Sequence, residues 1–298
     1  MGLPGVFYWN FVDADFSIIP VMPELERWGV AAAIFAETLI LLAIGRALAQ
    51  LLIRGSLTRE LTEKDNAALA LAVAGYYFGL FIALSGLLEG PALPLAEEML
   101  LIGMHGLLGL ACAIVAAALW RPVLGVDLRR HLLESRTTAA GLVCGASLVA
   151  TGLIYRGSVQ GEGGVGTALV FFAVGQGALF AVSAAYEWIT PYNVRAEVLE
   201  KGNPAAAAAF AGAIVAAGII VGHAATGDFT SWRESFGDFF LLLIPLAALP
   251  LIRWLVAGGI LFGFRSLSKE IVQDRNLAAG VIEAAAYLGS AILVTSLI

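Results

Sequence analysis

Five strongly polar side chains interrupt stretches of sequence that are otherwise apolar: Glu37, Arg46, His105, Gln176 and Glu283. An ionisable group at the centre of a bilayer costs about 2.5 to 3.5 kcal/mol on insertion scales, so each needs a partner or a job. Glu37, His105 and Gln176 fall at similar depths, to one side of the midplane. Glu283 and Arg46 fall about two helical turns inside the opposite surface. Two chemistries follow. A Glu283–Arg46 ion pair would satisfy both charges and do nothing more. Alternatively, carboxylate and imidazole are proton-exchanging groups, and Glu37 with His105 on one side and Glu283 on the other would line a path for protons or cations.

Other chemistries find less support. His131 falls in a loop and His223 near a helix end, so His105 has no histidine at i+3 or i+4, and a haem held by His105 and His223 across two helices rests on nothing further. No HExxH, CxxC or EF-hand spacing occurs, and the Gly-rich GEGGVG from Gly161 has neither a strand before it nor a lysine after it. No Ser, His and Asp arrangement stands out for nucleophilic catalysis. The expectation is no metal, no cofactor, no nucleic-acid partner and no enzyme. The two cysteines, Cys112 and Cys144, fall within apolar stretches and leave the redox compartment open.

These groups must be positioned by membrane helices. Of the 298 residues 60% are hydrophobic and only 13% charged, and the mean hydropathy is +0.88, whereas soluble domains carry about 25% charge. Runs long enough to cross a hydrocarbon core of about 30 Å are expected near 30–53, 67–88, 99–119, 139–155, 167–188, 204–225, 239–262 and 277–298. The fold class is therefore all-α, a polytopic membrane protein of about eight transmembrane helices. The seventh run contains Pro245, Pro250 and Arg253 and is expected to kink or tilt.

The formal net charge of −6 matters less than its distribution. Twelve of the seventeen Lys and Arg residues lie in alternate loops: Arg54, Arg59, Lys64; Arg121, Arg129, Arg130, Arg136; Arg195, Lys201; Arg265, Lys269, Arg275. The positive-inside rule makes these loops cytoplasmic and puts both termini outside. Residues 1–28 lack the basic start and small-residue cleavage site of a signal peptide. Phe7, Tyr8, Trp9, Phe11 and Phe16 suit an interfacial segment.

The alternate loops also repeat. SLTRELTEKDN from Ser56, NVRAEVLEKGN from Asn193 and SLSKEIVQDRN from Ser266 share a Glu six residues before an Asn that opens an Ala-rich helix: Glu60 and Asn66, Glu197 and Asn203, Glu270 and Asn276. In a degenerate copy, GVDLRRHLLESRTTAAG, Arg129 or Arg130 stands for the Glu and Ser135 or Arg136 for the Asn. Ser56, Asn193 and Ser266 are expected to cap short connecting helices, and the three Asn to cap the membrane helices that follow. Pro204 suits a first helical position. The chain then reads as four hairpins, at 29–90, 91–157 (degenerate), 158–227 and 228–298, after the segment 1–28. The glutamate is the part that capping does not explain. A cluster of the three acids with the arginine of the degenerate copy would account for it. Gly75 and Gly79, Gly141 and Gly145, and Gly218 and Gly222 provide small faces for close helix packing.

The TPYN at Thr190, the following Glu197, the GN pair at Gly202 and the Ala-rich helix after it resemble the bacterial YjfL-like inner-membrane family, domain of unknown function 350. The likeness is clearest over 190–220 and 266–293. It implies paired-helix repeats in a bacterial inner membrane, an envelope-stress or membrane-maintenance context, and no assigned reaction. Two functions fit. One is an ion, proton or small-solute transport or channel-like module that works through the intramembrane polar residues. The other is a scaffold whose connectors recruit lipids, partner proteins or a second copy, with the basic second connector meeting anionic headgroups.

Overall fold

The computed structural model describes residues 24–53, 55–89, 93–263 and 266–298. The aromatic segment at Phe7–Phe16 lies outside the described residues. Among the described residues eight helices are long and apolar enough to cross a membrane: α1 (Glu24–Ile53), α2 (Ala67–Leu87), α3 (Leu95–Leu124), α4 (Thr138–Val159), α5 (Gly164–Ile189), α6 (Pro204–Ala224), α7 (Trp232–Leu261) and α8 (Leu277–Thr295). Four short connectors follow α1, α3, α5 and α7, at Leu57–Thr62, Leu128–Glu134, Ala196–Glu200 and Leu267–Val272. They lie at one end of the bundle, the connector face. The loops that join α2 to α3, α4 to α5 and α6 to α7 lie at the other, the distal face.

The small-residue helices form the middle. α2, α4, α6 and α8 stand in a row, each packed most extensively on the next, with α4 against α6 joining the two halves. Glycine makes the approach close enough. A Cβ at Gly75 would collide with the backbone of Gly145, one at Gly152 with Gly79, one at Gly218 with Ala150 and one at Gly280 with Ala205. In lipid, where apolar burial gives no drive between helices, such backbone contact is a main source of association. The odd helices flank the row. In α6 89% of its apolar stretch is buried, against 11% in α1 and in α7, so the lipid-facing surface includes odd-helix residues such as Phe35, Phe240 and Trp254, joined by Phe78 of α2 and Ile292 of α8.

The seventh span is broken, as its prolines require. It runs as α-helix over Trp232–Leu242, tightens to 3-10 geometry over Ile244–Ala248 and widens to π-helix over Ile252–Leu261. Pro245 and Pro250 cannot donate to the helical ladder, and the backbone adjusts its spacing around them.

All four connectors end in one hinge. A backbone N–H closes on the carbonyl six residues earlier: Asn66 on Glu60 at 3.1 Å, Thr137 on His131 at 2.8 Å, Asn203 on Glu197 at 2.8 Å and Asn276 on Glu270 at 2.9 Å. The residue before each cap is left-handed, with φ of 45° at Asp65, 49° at Arg136, 59° at Gly202 and 48° at Arg275. The second copy is therefore in register at His131 and Thr137, a correction to the expectation of Arg129 or Arg130 with Ser135 or Arg136. Matching by charge misses it because the hinge uses backbone atoms only. Thr137 has no side-chain amide to orient, so the position before it needs no carboxylate.

Candidate functional site

Where the cap is Asn, the acid has a clear task. Asn66 Oδ1 accepts from the Leu69 N–H, Asn203 Oδ1 from Ala205 and Ala206, and Asn276 Oδ1 from Ala278. Their amide hydrogens go to the motif carboxylates, to Glu60 at 3.3 Å, Glu197 at 3.0 Å and Glu270 at 3.0 Å. Each acid thus holds its own asparagine amide in the capping orientation. Glu60 and Glu197 also pair with the lysine four residues on, Lys64 at 2.5 Å and Lys201 at 2.6 Å. The expected cluster of three acids and an arginine does not form, because every acid is engaged within its own hinge, while Arg129 pairs with Glu134. Ser56 and Asn193 cap their connectors; Ser266 occupies the cap position without a side-chain bond.

The hinges also dock hairpins in pairs. Asn66 Nδ2 donates to the Leu132 carbonyl and Asn203 Nδ2 to the Ile271 carbonyl, both at 2.8 Å. Arg136 and Arg275 reach back to the carbonyls of Lys64 and Lys201. The Lys64 hydrogen bond, with Asn66 and the charges of Lys64 and Arg136, holds the Glu60 carboxyl below its ordinary value against the effect of burial. At Glu197 burial is the largest influence and acts upward, but Lys201, Asn203 and Arg275 together outweigh it.

The intramembrane polar residues lie at separate places. Glu37 Oε1 sits against Gly103 of α3, and its Oε2 has no partner. His105 bonds the Leu101 carbonyl through Nδ1, and no hydrogen bond or ion pair joins it to Glu37. Gln176 is buried on α5, with Oε1 accepting from Thr151 at 3.4 Å and Nε2 unpartnered. Arg46 is exposed and donates to Thr58 of the first connector at 2.8 Å. The Glu283–Arg46 pair is thereby overturned. Arg46 stands on α1, which flanks the first half of the row, and Glu283 on α8, at the far end of the second.

Glu283 is 0% exposed, and its partner is Arg253, whose Nε donates to Oε1 at 2.9 Å. The π-helical stretch of α7 turns Arg253 toward α8, and its Nη2 donates to Ser268 of the fourth connector at 2.9 Å. Tyr186 of α5 donates to the same Oε1 at 2.8 Å and stacks on Phe210 of α6. Tyr287, one turn along α8, is buried beside it, its ring 6.2 Å from that of Tyr186. The Tyr192 hydroxyl, in the loop after α5, has no partner, and burial pushes its ionisation upward. Sequence reasoning does not reach Tyr186, Tyr192, Tyr287 or Ser268. The available signals are the TPYN stretch that contains Tyr192 and the i, i+4 spacing of Glu283 and Tyr287 on an apolar helix.

The cluster belongs to the second half alone. Glu283 stands seven residues beyond its cap Asn276, and seven beyond Thr137 stands Cys144. Tyr186 precedes Glu187, which accepts the Val194 N–H; in the first half Ala49 precedes Gln50, which accepts the Leu57 N–H. Where the second half has an acid and a phenol, the first has a thiol and a methyl group.

A cleft of about 820 Å³ opens at the distal face between the halves. Glu89, Glu98, Glu162, Asp228 and Asp238 line it with His105, over a floor that includes Phe171 and Phe239. Glu89 is paired with Arg156 and accepts from Gln160, and Asp228 Oδ1 accepts from the Glu162 N–H at 2.8 Å. From Phe171 to Tyr186 along α5 is about 22 Å at 1.5 Å per residue, so the buried acid and the cleft are separate. Among the described residues no group of three or more His, Cys, Asp or Glu is placed to hold a metal ion.

Fold and hinges together define a multi-pass helical membrane protein made of two similar halves. The chain belongs to the DUF350 family: the model for Domain of Unknown Function (DUF350) matches residues 23–159 and again 162–298. Each match spans two hairpins, and the junction falls between α4 and α5. Comparison with curated proteins and with solved structures gives no match.

Proposed function

We propose that the protein is a non-enzymatic transport or channel-like module for protons or small cations, with Glu283 as its exchangeable acid. The observation that carries this reading is the full burial of Glu283 within the spans. Its charge is held there by Arg253 and Tyr186, and Oε2 is left without a partner. Intramembrane ionisable residues that face a bundle interior are characteristic of proton and ion pathways. The acidic cleft would raise the local concentration of cations at the distal mouth. The basic connectors support a reading in which the connector face is cytoplasmic and both termini are outside, in a bacterial inner membrane. Membrane maintenance is the process in which such a module would serve.

A scaffold that binds lipid headgroups through its second connector is less favoured. Arg121 and Arg129 are paired with Asp127 and Glu134, and Arg136 is tied to Lys64. Proteoliposomes with an internal pH-sensitive dye and an imposed membrane potential test the proposal. Wild-type protein should carry a flux that Glu283→Gln lowers by about 100-fold or more, the scale of a lost proton-transfer group. Folded wild-type protein with no flux of protons, Na⁺ or K⁺ would defeat it and leave the scaffold.

A further inference from the structure

The polar shell of Glu283 is complete on one side only. Oε1 receives both Tyr186 and Arg253, whereas Oε2 has no partner, and neither do the hydroxyls of Tyr287 and Tyr192. Glu283 and Tyr287 are 0% and 1% exposed. Tyr287 is on the same face of α8 as Glu283, and Tyr192 lies toward the connector face, close to Tyr186 and Arg253 but outside hydrogen-bond geometry with both. Leaving buried polar atoms unpaired is more costly than a hydrogen bond is favourable. Three such oxygens in one cluster are the usual surroundings of a buried water, which makes about two to four hydrogen bonds.

We propose that Glu283 Oε2, Tyr287 and Tyr192 hold one water-sized polar occupant that relays protons between Glu283 and the connector face. This rests on the reading of Glu283 as an exchangeable acid, and it narrows the transported species to the proton. A metal cation fits poorly. Three oxygens fall short of the six or so that hard cations gather, whereas a proton needs only one acceptor at a time. A hydroxyl both donates and accepts, so each relay oxygen has the same charge before and after a transfer, and Glu283 alone changes charge. The occupant gives a proton to Oε2 and takes one from the Tyr192 hydroxyl, which is refilled from water at the connector face. Each transfer returns both relay oxygens to neutrality and leaves one proton on Glu283, and the same steps in reverse restore the carboxylate.

The full-length protein in the same proteoliposomes provides the test, with Tyr287→Phe and Tyr192→Phe compared with Glu283→Gln, and with thermal unfolding followed in NaCl, KCl and choline chloride at one ionic strength. Each Phe variant should lower proton flux by about tenfold or more, the double variant should lose little beyond either single one, and the melting temperature should not depend on which cation is present. Undiminished flux in folded Tyr192→Phe, with Glu283→Gln inactive, would overturn the relay and leave Glu283 as the working acid. Tyr192 is only half-buried, so this arm holds even where Tyr287→Phe fails to fold. A rise in melting temperature specific to Na⁺ or K⁺, abolished by Glu283→Gln, would replace the water with a metal ion. Absence of any wild-type flux would overturn both readings.

Discussion

The side-chain amide of Asn203 donates to the backbone carbonyl of Ile271 at 2.8 Å, across the gap between two hairpins. The same side chain caps α6 through Oδ1 and receives its orientation from Glu197. Asn203→Ala should cost more than a lost cap, about 2 to 4 kcal/mol, since the cap contributes about 1 and a buried carbonyl is left unpaired. Asn203→Asp should be no milder. It keeps the cap oxygen, loses the donor to Ile271 and puts a second carboxylate beside Glu197. Chemical or thermal unfolding in detergent measures both, and a mild aspartate variant would show that the Ile271 bond contributes little.

Glu197 works through Asn203 and not through the other acids. Glu197→Gln should destabilise by about 1 to 2 kcal/mol, the range of a charge-assisted hydrogen bond, and Arg130→Gln in the same protein should add to the damage without offsetting it. Folded Glu197 ionises below its ordinary value, so its contribution is present above the unfolded pKa of about 4.3 and is lost as pH falls through the lower folded value. Rescue by Arg130→Gln would revive the ion cluster.

His131 gives the second connector a different pH response. The ring is buried and its Nδ1 accepts the Asp127 N–H at 2.9 Å, which only an unprotonated nitrogen can do. Burial first and the Arg130 charge second hold its pKa below the usual value, against the pull of Asp127. Stability should therefore be full above the unfolded value of about 6.5 and fall as pH drops through the folded value. Melting temperatures between pH 7.5 and 5.5 should decline in the wild type and be flatter in His131→Gln. Equal slopes would remove His131 from the account.

Arg46, matched to Glu283 by depth, and Arg253, its partner in the fold, should separate by energetics. Arg253→Met leaves Glu283 buried without its counter-charge and should cost about 3 to 5 kcal/mol. Arg46→Met removes an exposed bond to Thr58 and should cost about 1 kcal/mol or less. Unfolding of the two purified variants decides it, and similar losses would mean that Glu283 is neutral in the fold.

Glycines in the row should differ sharply from those outside it. Gly145→Leu would drive a side chain into the backbones of Leu71 and Gly75, and no folded, monodisperse protein should be recovered. Gly177 has no atom within 4 Å of an added Cβ, so Gly177→Ala should be neutral or stabilising by up to about 1 kcal/mol. Size-exclusion profiles distinguish the two.

Much of this could be read in advance. Apolar runs located the eight spans because hydrocarbon thickness sets helix length, and the Asn caps announced themselves through Ala-rich helices and Pro204. Pro245 and Pro250 marked the break in α7. What stayed hidden was rotation about helix axes. Depth alone put Arg46 level with Glu283, but the row separates α1 from α8, and the π-helical turns after Pro250 bring in Arg253 instead. The register of the second hinge was hidden for another reason. His131 contributes a carbonyl to that hinge, and a carbonyl leaves no mark on residue type.

Docking within halves also sets a timetable for synthesis. Asn66 finds Leu132 and Asn203 finds Ile271 inside their own family match, so a ribosome that has delivered α4 has already released every partner the first half needs for its hinges. The α4–α6 seam between the halves must wait for the next hairpin. The emerging chain can therefore settle α2 against α4 in the bilayer long before Glu283 and Arg253, near its end, have to be carried into the membrane together.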